Sequence, residues 1–577
     1  MDPVSVIGIV QTCFTLGPEV IKICKNWKEA GKEVEQRILI VESCWDRTRR
    51  QVDFMLHIES AIDDELLRIL DGLLGQLCIS LTDAKNKLET VTKRESLSRP
   101  GFLSFRSKAK NASWVWKKEA IDDIIAELEA WQRRFDPSWF LLMRITSPTI
   151  DSELLSARKK GLGLEGSVIA SNNPLALAAG LRNVLSPDLS KFKSLFLPES
   201  PMEWCDIPYT GIKLARRTSG SDNKWYVIDR IDVRSGAKVR DVMRDVRVLS
   251  ARLSKSDPLV FGLLSCKGVI GIPRSNTPPE PTKCFESQQT SSLPLRSRSP
   301  RLDMSGDHSL HKPSASQHDY SCFQIVLRVP HGMNQLQSLR QILLASGEEP
   351  SLSRKVRIAR ELAKAVSYVH TFAFVHKNIR PESILCFEDA KSSQSHAFLA
   401  GFDAFRASDA GTMMAGDLSW EKNVYRHPLR QGEDPTETFN MQHDIYSLGV
   451  CLLEIGLWES FVEYDCERPD RGPYLAKFGK TYHRFRAYSK SKTPNNHAIK
   501  ASSFLDLAFS LKDFLVNEAS TKLAPRVGDR YMRVVVSCLT CLDEDNLNPG
   551  EPGDDTEDLV AIRFIGTILK DLDDIRV

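Results

Sequence analysis

The chain has 577 residues, of which 42% are hydrophobic and 27% are charged. This composition is ordinary for a globular protein and excludes a fully disordered, collagen-like or disulfide-scaffold chain. The formal net charge of +3 gives no overall polycationic character that would point to nucleic acid as a partner. A length of 577 residues predicts roughly two to four domains.

The thirteen cysteines are odd in number and follow no regular spacing. They therefore predict reduced thiols in a cytosolic compartment rather than a disulfide framework. Cys538 and Cys541 form the only C-x-x-C pair, and no second pair completes a zinc site, so we expect no metal.

The N-terminus contains an apolar run, residues 4–16, that follows Asp2 instead of a positive charge. A secretory signal needs that positive charge, and a spanning helix needs ~20 apolar residues. The sequence therefore predicts a cytoplasmic protein without a signal peptide or a membrane-spanning helix.

Residues 1–146 have helical periodicity throughout. Apolar side chains recur at helical spacing in residues 38–55, 66–77 and 121–131, and the N-terminal segment adds a further helix. Pro18 is expected to interrupt that first helix, and Pro137 to begin a short new one. The predicted architecture is an all-α bundle of four long helices.

The remaining chain divides at changes in composition. Residues 147–195 are mixed and predict a connector with some helix, and residues 196–577 predict a second folded unit. Within that unit, residues 272–320 are rich in Ser, Pro and charged residues. Such a stretch cannot bury enough apolar surface to order itself, so it predicts a disordered insertion.

The second half carries several motifs in a fixed order. An amphipathic helix, SRKVRIARELAKAVSYVH, precedes FVHKNIRPESIL at 374–385, and AFLAGFDAFR, VYRHP and HDIYSLGVCLLEIGLW follow at 397–406, 424–428 and 443–458. This series resembles the catalytic loop, DFG, APE and DxWSxG segments of protein kinases, over roughly residues 205–570. The resemblance implies a multidomain protein in which an all-α N-terminal bundle precedes an α+β bilobal protein-kinase-like fold.

The resemblance also implies that the residues of phosphoryl transfer are replaced. Asn378 stands where the catalytic Asp accepts the substrate proton, and Ser383 where an Asn holds magnesium. Gly401 replaces the Asp of DFG, and Asp229 in KWYVIDRI stands where the strand Lys contacts phosphates. Because a neutral amide cannot act as that general base, we expect a pseudokinase with no catalytic residues. Asp229 would repel phosphates, so we expect no bound nucleotide; nucleotide binding without catalysis is the alternative.

The positions that support the kinase fold are retained. His376 and Phe402 match the residues that stack as an internal hydrophobic column. Asp444 matches the helix residue that holds the catalytic-loop backbone, and Gly449 follows it in register. The positions that support the fold are therefore retained, whereas the positions that take part in phosphoryl transfer are replaced.

Alternatives to an inactive kinase remain open. A shifted register would make Asp403 the metal-binding carboxylate of an active or residual ATP-binding kinase. A non-enzymatic signalling scaffold would need neither catalysis nor nucleotide. The helix and histidine by themselves could also occur in an unrelated helical domain.

The opening MDPVSVIGIVQTCF, the long helices and the closing RRFDPSWFLLMRI resemble the HeLo-type domains of fungal prion-inhibition and cell-death proteins. A bundle followed by a pseudokinase also resembles the mixed-lineage-kinase-domain-like executioners of necroptosis. The resemblance implies an effector bundle that is restrained at rest and assembles on membranes when released.

The first helix and the segment 93–118 are the candidate membrane elements. Val4, Ile7, Val10 and Phe14 fall on one apolar face, which is either ordinary bundle core or a face released into lipid. Segment 93–118 interleaves aromatic and basic residues, which suits anionic lipid, although single-stranded nucleic acid or a solvated loop would use the same composition. We favour lipid because of the adjacent apolar helix; the candidate lipid-binding residues are Arg106, Lys108, Lys110, Lys117 and Lys118.

The insertion contains RSRSPR, in which Ser297 and Ser299 are candidate phosphorylation sites. Phosphate there would neutralise a cationic patch, and an unmodified spacer is the alternative. Together the patterns predict a regulator or executioner of fungal cell death or incompatibility signalling. Its expected partners are anionic lipid on activation, further copies of the bundle and a protein activator, with no nucleic acid. The protein would be cytoplasmic and recruited to the plasma membrane on activation.

Overall fold

The computed structural model describes most of the chain in separate stretches. The described residues are 6–27, 32–97, 106–144, 147–161, 174–185, 195–218, 224–233, 238–274, 320–345, 349–392, 394–407, 416–464, 475–491, 504–543 and 557–576.

The N-terminal region is helical, as predicted. Within the described residues it consists of the helices α1 (Val6–Lys25), α2 (Lys32–Ile58), α3 (Asp64–Leu97) and α4 (Arg106–Leu142). Helix α1 packs on α2 and α3, and α4 completes the bundle by packing on the same two helices. Helices that are consecutive in the chain run antiparallel. However, α1 runs parallel to α3, since Cys13 lies at Leu74 and Glu19 at Lys85. Likewise α2 runs parallel to α4, since Arg37 pairs with Asp122 and Arg47 with Asp136.

The described part of the inward face of α1 includes Val10 and residues that the sequence did not single out. Val10 is buried, but Phe14 is half-buried at the edge of the face. Cys13 and Gly17 are also buried, and a Cβ at Gly17 would overlap the indole of Trp45 on α2. The indole therefore lies directly against the backbone of α1 at this glycine. The buried residues of α1 are Val10, Cys13, Gly17, Val20 and Cys24.

Neither proline ends a helix, contrary to the sequence-based expectation. Helix α1 continues through Pro18 and α4 continues through Pro137 to Leu142. An interior proline costs ~3 kcal/mol or more through the lost hydrogen bond and the ring clash. Buried residues on both sides, such as Val20 beyond Pro18 and Trp139 beyond Pro137, supply the packing that offsets this cost.

The predicted connector contains the helices α5 (Pro148–Gly161) and α6 (Pro174–Leu185). Arg182 of α6 forms an ion pair of 2.7 Å with Asp151 of α5. Its guanidinium also donates to the carbonyl oxygen of Met143 at 3.0 Å. The helix α6 contacts α2, so the described part of the connector packs against the bundle.

A mixed region of strands and helices follows. Its first described strands are β1 (Met202–Asp206), β2 (Lys213–Arg217), β3 (Trp225–Asp232), β4 (Cys266–Pro273) and β5 (Tyr320–Arg328). They form an antiparallel sheet in the order β1-β2-β3-β5-β4. The helix α7 (Val239–Leu253) packs against β4 and β5, and the short α8 (Pro258–Phe261) precedes β4.

The predicted insertion lies between two strands of this sheet. Strand β4 extends to Pro273 and β5 begins at Tyr320, so the ends of the segment 272–320 belong to the sheet. Residues 275–319, which include Ser297 and Ser299, lie outside the described residues.

The rest of the described chain is mainly helical. Its principal helices pack around α12, which is buried along almost its whole length. Gly449 of α12 allows this packing, because a Cβ there would lie 2.7 Å from the Cβ of Cys538. The described elements are β6 (Met333–Ser338), α9 (Leu339–Leu344), α10 (Leu352–Thr371), β7 (Phe374–Val375), β8 (Ile384–Asp389), β9 (Ser395–Leu399), β10 (Arg406–Ala407), α11 (Trp420–Asn423), α12 (Met441–Leu457), β11 (Val462–Tyr464), β12 (Ala476–Phe478), α13 (Lys480–Ser491), α14 (Phe504–Val527), α15 (Asp529–Leu539), α16 (Glu557–Phe564), a π-helical turn (Ile565–Leu569) and α17 (Lys570–Asp573).

The bundle packs against this mixed region through apolar contacts. The ring of Phe140 on α4 lies 4.8 Å from the ring of Phe261 on α8 and 5.8 Å from that of Tyr368 on α10. On the other side of the bundle, a Cβ at Gly566 would lie 2.9 Å from Ile69 of α3. The two regions therefore share one hydrophobic core in the described structure.

Polar contacts surround the apolar contact. The Arg144 guanidinium donates to the carbonyl oxygen of His370 at 2.9 Å and pairs with Asp558 at 3.1 Å. Arg134 of α4 pairs with Asp574 at 3.3 Å. The bundle is thus joined both to α10 and to the C-terminal helices.

Other features bear on the sequence-based expectations. Each cysteine whose state the structure describes is a free thiol. Among the helices that the structure describes, none combines the length and apolar character needed to span a membrane. The described residues contain no cluster of three or more potential metal ligands.

Candidate functional site

The structure brings the residues that align with kinase motifs together where β3 meets the loops after β7 and β9. Asp229 lies on β3, which contacts the short 3₁₀ turn Phe402–Ala404 after β9. Asn378 and Ser383 lie in the loop between β7 and β8. The junction of the sheet with the helical half thus contains all four predicted replacement positions.

Asp229 binds the backbone of the segment after β9. The Oδ2 atom of this buried carboxyl accepts hydrogen bonds from the amides of Gly401 and Phe402, each at 2.8 Å. Burial raises the pKa of Asp229 to about 7; the charge of Asp403 adds to the increase, and the two amide hydrogen bonds oppose it. Asp229 stands where kinases have the strand lysine, and in this chain its carboxyl holds the backbone of the segment after β9.

Asn378 uses its amide within the same loop. Its Nδ2 donates to the carbonyl oxygen of Gly401 at 3.1 Å and to Oδ1 of Asp403 at 2.7 Å. Its Oδ1 accepts from Nε of Arg380 at 2.8 Å. Both amide protons and the amide oxygen are thus engaged by protein groups.

Ser383 and Gly401 lie against each other next to Asn378. The Ser383 hydroxyl donates to the carbonyl oxygen of Arg380 at 2.8 Å and accepts from its amide at 3.2 Å. Gly401 has φ +79°, and a Cβ there would lie 2.8 Å from the Cβ of Ser383. The backbone conformation and the close contact both disfavour a larger side chain at position 401.

Asp444 holds the loop before Asn378 in place. Its Oδ2 accepts from the amide of His376 at 2.7 Å, and its Oδ1 accepts from the amide of Lys377 at 2.9 Å. Lys377 has φ +65°, a strained conformation that these bonds help to maintain. The Nε2 atom of His370 also lies 3.4 Å from Oδ2 of Asp444.

His376 and Phe402 stack inside the molecule. Their ring centroids are 4.7 Å apart, and Nε2 of His376 lies 3.1 Å from the carbonyl oxygen of Ala400. Burial lowers the pKa of His376, although Asp444 and Asp403 oppose the decrease. The imidazole is therefore a neutral packing residue that links the two loops.

Sequence reasoning missed a buried charge network next to this loop. Arg340 of α9 is fully buried and lies 3.1 Å from both Glu382 and Glu454. Burial by itself lowers the pKa of Arg340, but Glu382, Tyr425 and Glu454 outweigh it and hold the pKa well above its ordinary value. The sequence contained one indication of this network. Glu454 lies within an apolar helix, and a buried carboxylate there needs a buried cation.

The other predicted site residues lie far from this loop cluster in the chain. Lys117 is only 8% exposed and its ammonium lies 5.6 Å above the ring of Trp27. Lys118 pairs with Glu33 at 3.4 Å. Both lysines thus take part in contacts within the bundle. Val4 and the side chains of Ile7, Arg106, Lys108 and Lys110 lie outside what the structure describes.

No family model matches the chain. A serine/threonine-protein kinase-like protein of Arabidopsis thaliana is 30% identical over 124 residues, which is 21% of this chain. The chain spans about a third of the length of that relative, since the match covers 33% of it. Part of the chain is therefore similar to a kinase-like protein.

Proposed function

We propose that the chain is a catalytically inactive kinase-like regulator that restrains its own N-terminal helical bundle. The single observation that carries this proposal is the docked bundle. Its Arg144 binds the carbonyl of His370, and the imidazole of His370 lies beside Asp444, the residue that holds the motif loop. Each contact in this series joins the bundle to the part of the mixed region that resembles a kinase catalytic loop.

The contacts of the motif residues support inactivity. Phosphoryl transfer in kinases depends on a strand lysine, a catalytic aspartate and carboxylates that bind magnesium. In this chain Asp229 binds backbone amides instead of phosphate, and Asn378 binds Gly401 and Asp403. Position 401 has no side chain to bind a metal. We therefore infer that this loop cluster holds neither nucleotide nor metal as a resident cofactor.

The polar rim of the docking surface supports a reversible restraint. Interfaces between regions of one chain separate readily unless they are large and apolar throughout. The Phe140 cluster is apolar, but Arg134 and Arg144 hold its edges through ion pairs. A protein activator or a phosphorylation event that competes for these arginines would shift the population toward the undocked state.

The proposed action of the released bundle is self-assembly on anionic membranes. The supporting feature is α1, whose apolar residues are covered by α2 and α3 at rest. An amphipathic helix of this length suits insertion into the interface between lipid and water rather than a solitary span. The assignment to fungal cell death or incompatibility signalling, in the cytoplasm and then at the plasma membrane, rests on the HeLo-type resemblance.

Dye release from phosphatidylserine-containing liposomes tests the proposal with the full chain. The double variant R134E/R144E should undock the bundle and cause leakage, whereas the wild type should cause little. The matched control R49E/R50E reverses two exposed arginines of α2, which pair with Asp46 only within that helix, and should behave as the wild type. Adding Ile7→Asp to the undocked variant should abolish leakage.

Two results would contradict the proposal and identify the alternatives. Absence of leakage from an undocked, folded variant at micromolar concentration would favour a signalling scaffold. Transfer of the terminal phosphate of ATP by the wild type, lost in Asn378→Ala, would identify an active kinase.

A further inference from the structure

A cleft of about 460 Å³ lies at the seam between the bundle and the mixed region. Arg133 and Pro137 of α4 form one wall, and residues 353–364 of α10 form the opposite wall. Leu569, Leu572 and Asp573 of the C-terminal segment close one end. The volume is within the roughly 300–1,000 Å³ typical of small-molecule sites. The cleft is separate from the loop cluster around Asp229, since the two share no residue.

The lining of the cleft has an excess of positive charge. Four cationic side chains, Arg133, Arg357, Arg360 and Lys364, face two carboxylates, Glu361 and Asp573. Glu361 is already engaged, because its two oxygens accept from Nδ1 of His396 and from the amide of Ala397, each at 2.7 Å. These bonds fix the orientation of Glu361, and the charged side chains of the lining still carry a net formal charge of +2.

The cations are concentrated on one face of α10. Arg357, Arg360 and Lys364 are spaced by three and four residues, so their side chains lie next to one another along the helix. Burial lowers the pKa of Arg360; Asp573 opposes the decrease, and Arg133, Arg134 and Arg357 add to it. Like charges at this spacing repel one another unless an anion lies between them.

The single charge of Asp573 acts on Arg360, Lys364 and Arg133 together and does not neutralise all three. Arg360 donates to the carbonyl oxygen of Leu572 at 2.8 Å and lies 3.7 Å from the carboxylate of Asp573. Arg133, Arg357 and Lys364 have no ion pair or hydrogen bond to another described residue. Guanidinium groups around a cleft suit the planar, multidentate recognition of phosphate oxygens.

We propose that this cleft binds a small multivalent phosphate anion, either free pyrophosphate or polyphosphate or the polyphosphate group of a nucleotide. The anion would contact Arg133 of the bundle together with Arg357 and Lys364 of α10. It would therefore bridge the two regions. Stabilisation of the docked bundle by this ligand rests on the proposed function above, whereas the binding itself does not.

Isothermal titration calorimetry of the full chain with inorganic pyrophosphate, at roughly 150 mM salt to screen non-specific attraction, tests the site. We expect one saturable site in the wild type and a ~10- to 100-fold loss of affinity in R357E/K364E. The control R240E/K391E carries the same change in charge at exposed positions outside the cleft and should retain the wild-type affinity. Absence of saturable binding, or equal weakening by both double variants, would overturn the proposal.

Two further titrations, of a charge-neutral variant and with ATP, show whether the cationic side chains bind the anion and which anion they bind. R357Q/K364Q removes the charges without reversing them, and it should also lose binding while keeping the wild-type melting temperature. ATP, titrated in parallel, distinguishes the two sources of phosphate: tighter binding than pyrophosphate assigns a nucleotide, and equal binding assigns the phosphate group alone. ATP affinity that is unaffected by R357Q/K364Q would contradict a nucleotide in this cleft. Because none of these readouts uses membranes, failure of the proposed membrane activity would leave them unchanged.

Discussion

The guanidinium of Arg144 donates a 2.9 Å hydrogen bond to the carbonyl oxygen of His370 and so joins the bundle to α10. The imidazole of His370 in turn lies 3.4 Å from Asp444, which accepts from the amides of His376 and Lys377. A bundle residue is therefore only a few contacts away from the strained backbone of the motif loop. A series of contacts does not by itself show that docking of the bundle and the conformation of the loop are energetically coupled. A substitution at Arg144 measures that coupling directly.

Replacing Arg144 with Ala should weaken docking and loosen the loop. The change removes a charged hydrogen bond, worth ~1.5–3 kcal/mol, and leaves Asp558 without this partner. Hydrogen exchange followed by mass spectrometry should show faster exchange in α10 and in residues 376–378. Arg49→Ala, on the exposed face of α2, should leave both segments unchanged. Faster exchange confined to the bundle would show that the contact does not reach the loop.

Phe140 should account for a large share of the stability of the docked state. Its ring is buried against Phe261 and Tyr368, so Phe140→Ala leaves a cavity and should cost ~3–5 kcal/mol. The measurement is the urea midpoint of unfolding. Leu39→Ala, at a side chain that is 56% exposed, should stay within about 0.5 kcal/mol of the wild type. A small effect at Phe140 would mean that the two regions are not held together by this cluster.

The sequence predicted the helical region well because long amphipathic periodicity reports burial directly. The predictions that were wrong, that Pro18 and Pro137 end helices, failed because tertiary packing overrides the local preference of proline. Pro18 and Pro137 lie inside α1 and α4, and buried residues beyond each proline pack the continuing helix. The close approach of Gly17 to Trp45 was not predicted either. Periodicity cannot show which bulky residue approaches a glycine from another helix.

The motif residues of the candidate site could be located from their order along the chain, but their contacts could not. The substitution at Asp229 predicted a lost phosphate contact, yet nothing in KWYVIDRI indicates that the carboxyl binds the amides of Gly401 and Phe402. The cationic cleft was also hidden, because α4, α10 and the C-terminal segment that line it are distant in sequence. Only the folded structure shows that residues so distant in sequence line one cleft.

Gly401→Ala should destabilise the chain more than Gly332→Ala. Both glycines have φ +79°, so both variants incur the cost of a left-handed conformation, ~1–2 kcal/mol. Only at position 401 would the new Cβ also approach the Cβ of Ser383, at 2.8 Å, whereas at position 332 the nearest atom is 3.9 Å away. Urea unfolding of the two variants measures the difference. Equal losses would mean that the loops around Ser383 move apart freely.

Asp229 should make stability depend on pH in a defined direction. Its pKa is raised from 3.8 to about 7, with burial as the main cause. Between these values the folded chain keeps a proton that the unfolded chain has released, so folding is favoured at low pH. This contribution is fully present below pH 3.8 and is lost as the pH rises through about 7. Within that window it falls by at most about 1.4 kcal/mol per pH unit.

Asp229→Asn should remove this contribution, because the carboxamide is neutral at every pH and its oxygen can still accept from the amides of Gly401 and Phe402. Melting temperatures measured from about pH 5 to about pH 8 should therefore fall less steeply in Asp229→Asn than in the wild type. The same variant at Asp232, an exposed carboxylate on the same strand, should keep the wild-type slope. Parallel profiles for Asp229→Asn and the wild type would mean that Asp229 is ionised in the folded chain and that the loop is held by a charge rather than by a neutral acid.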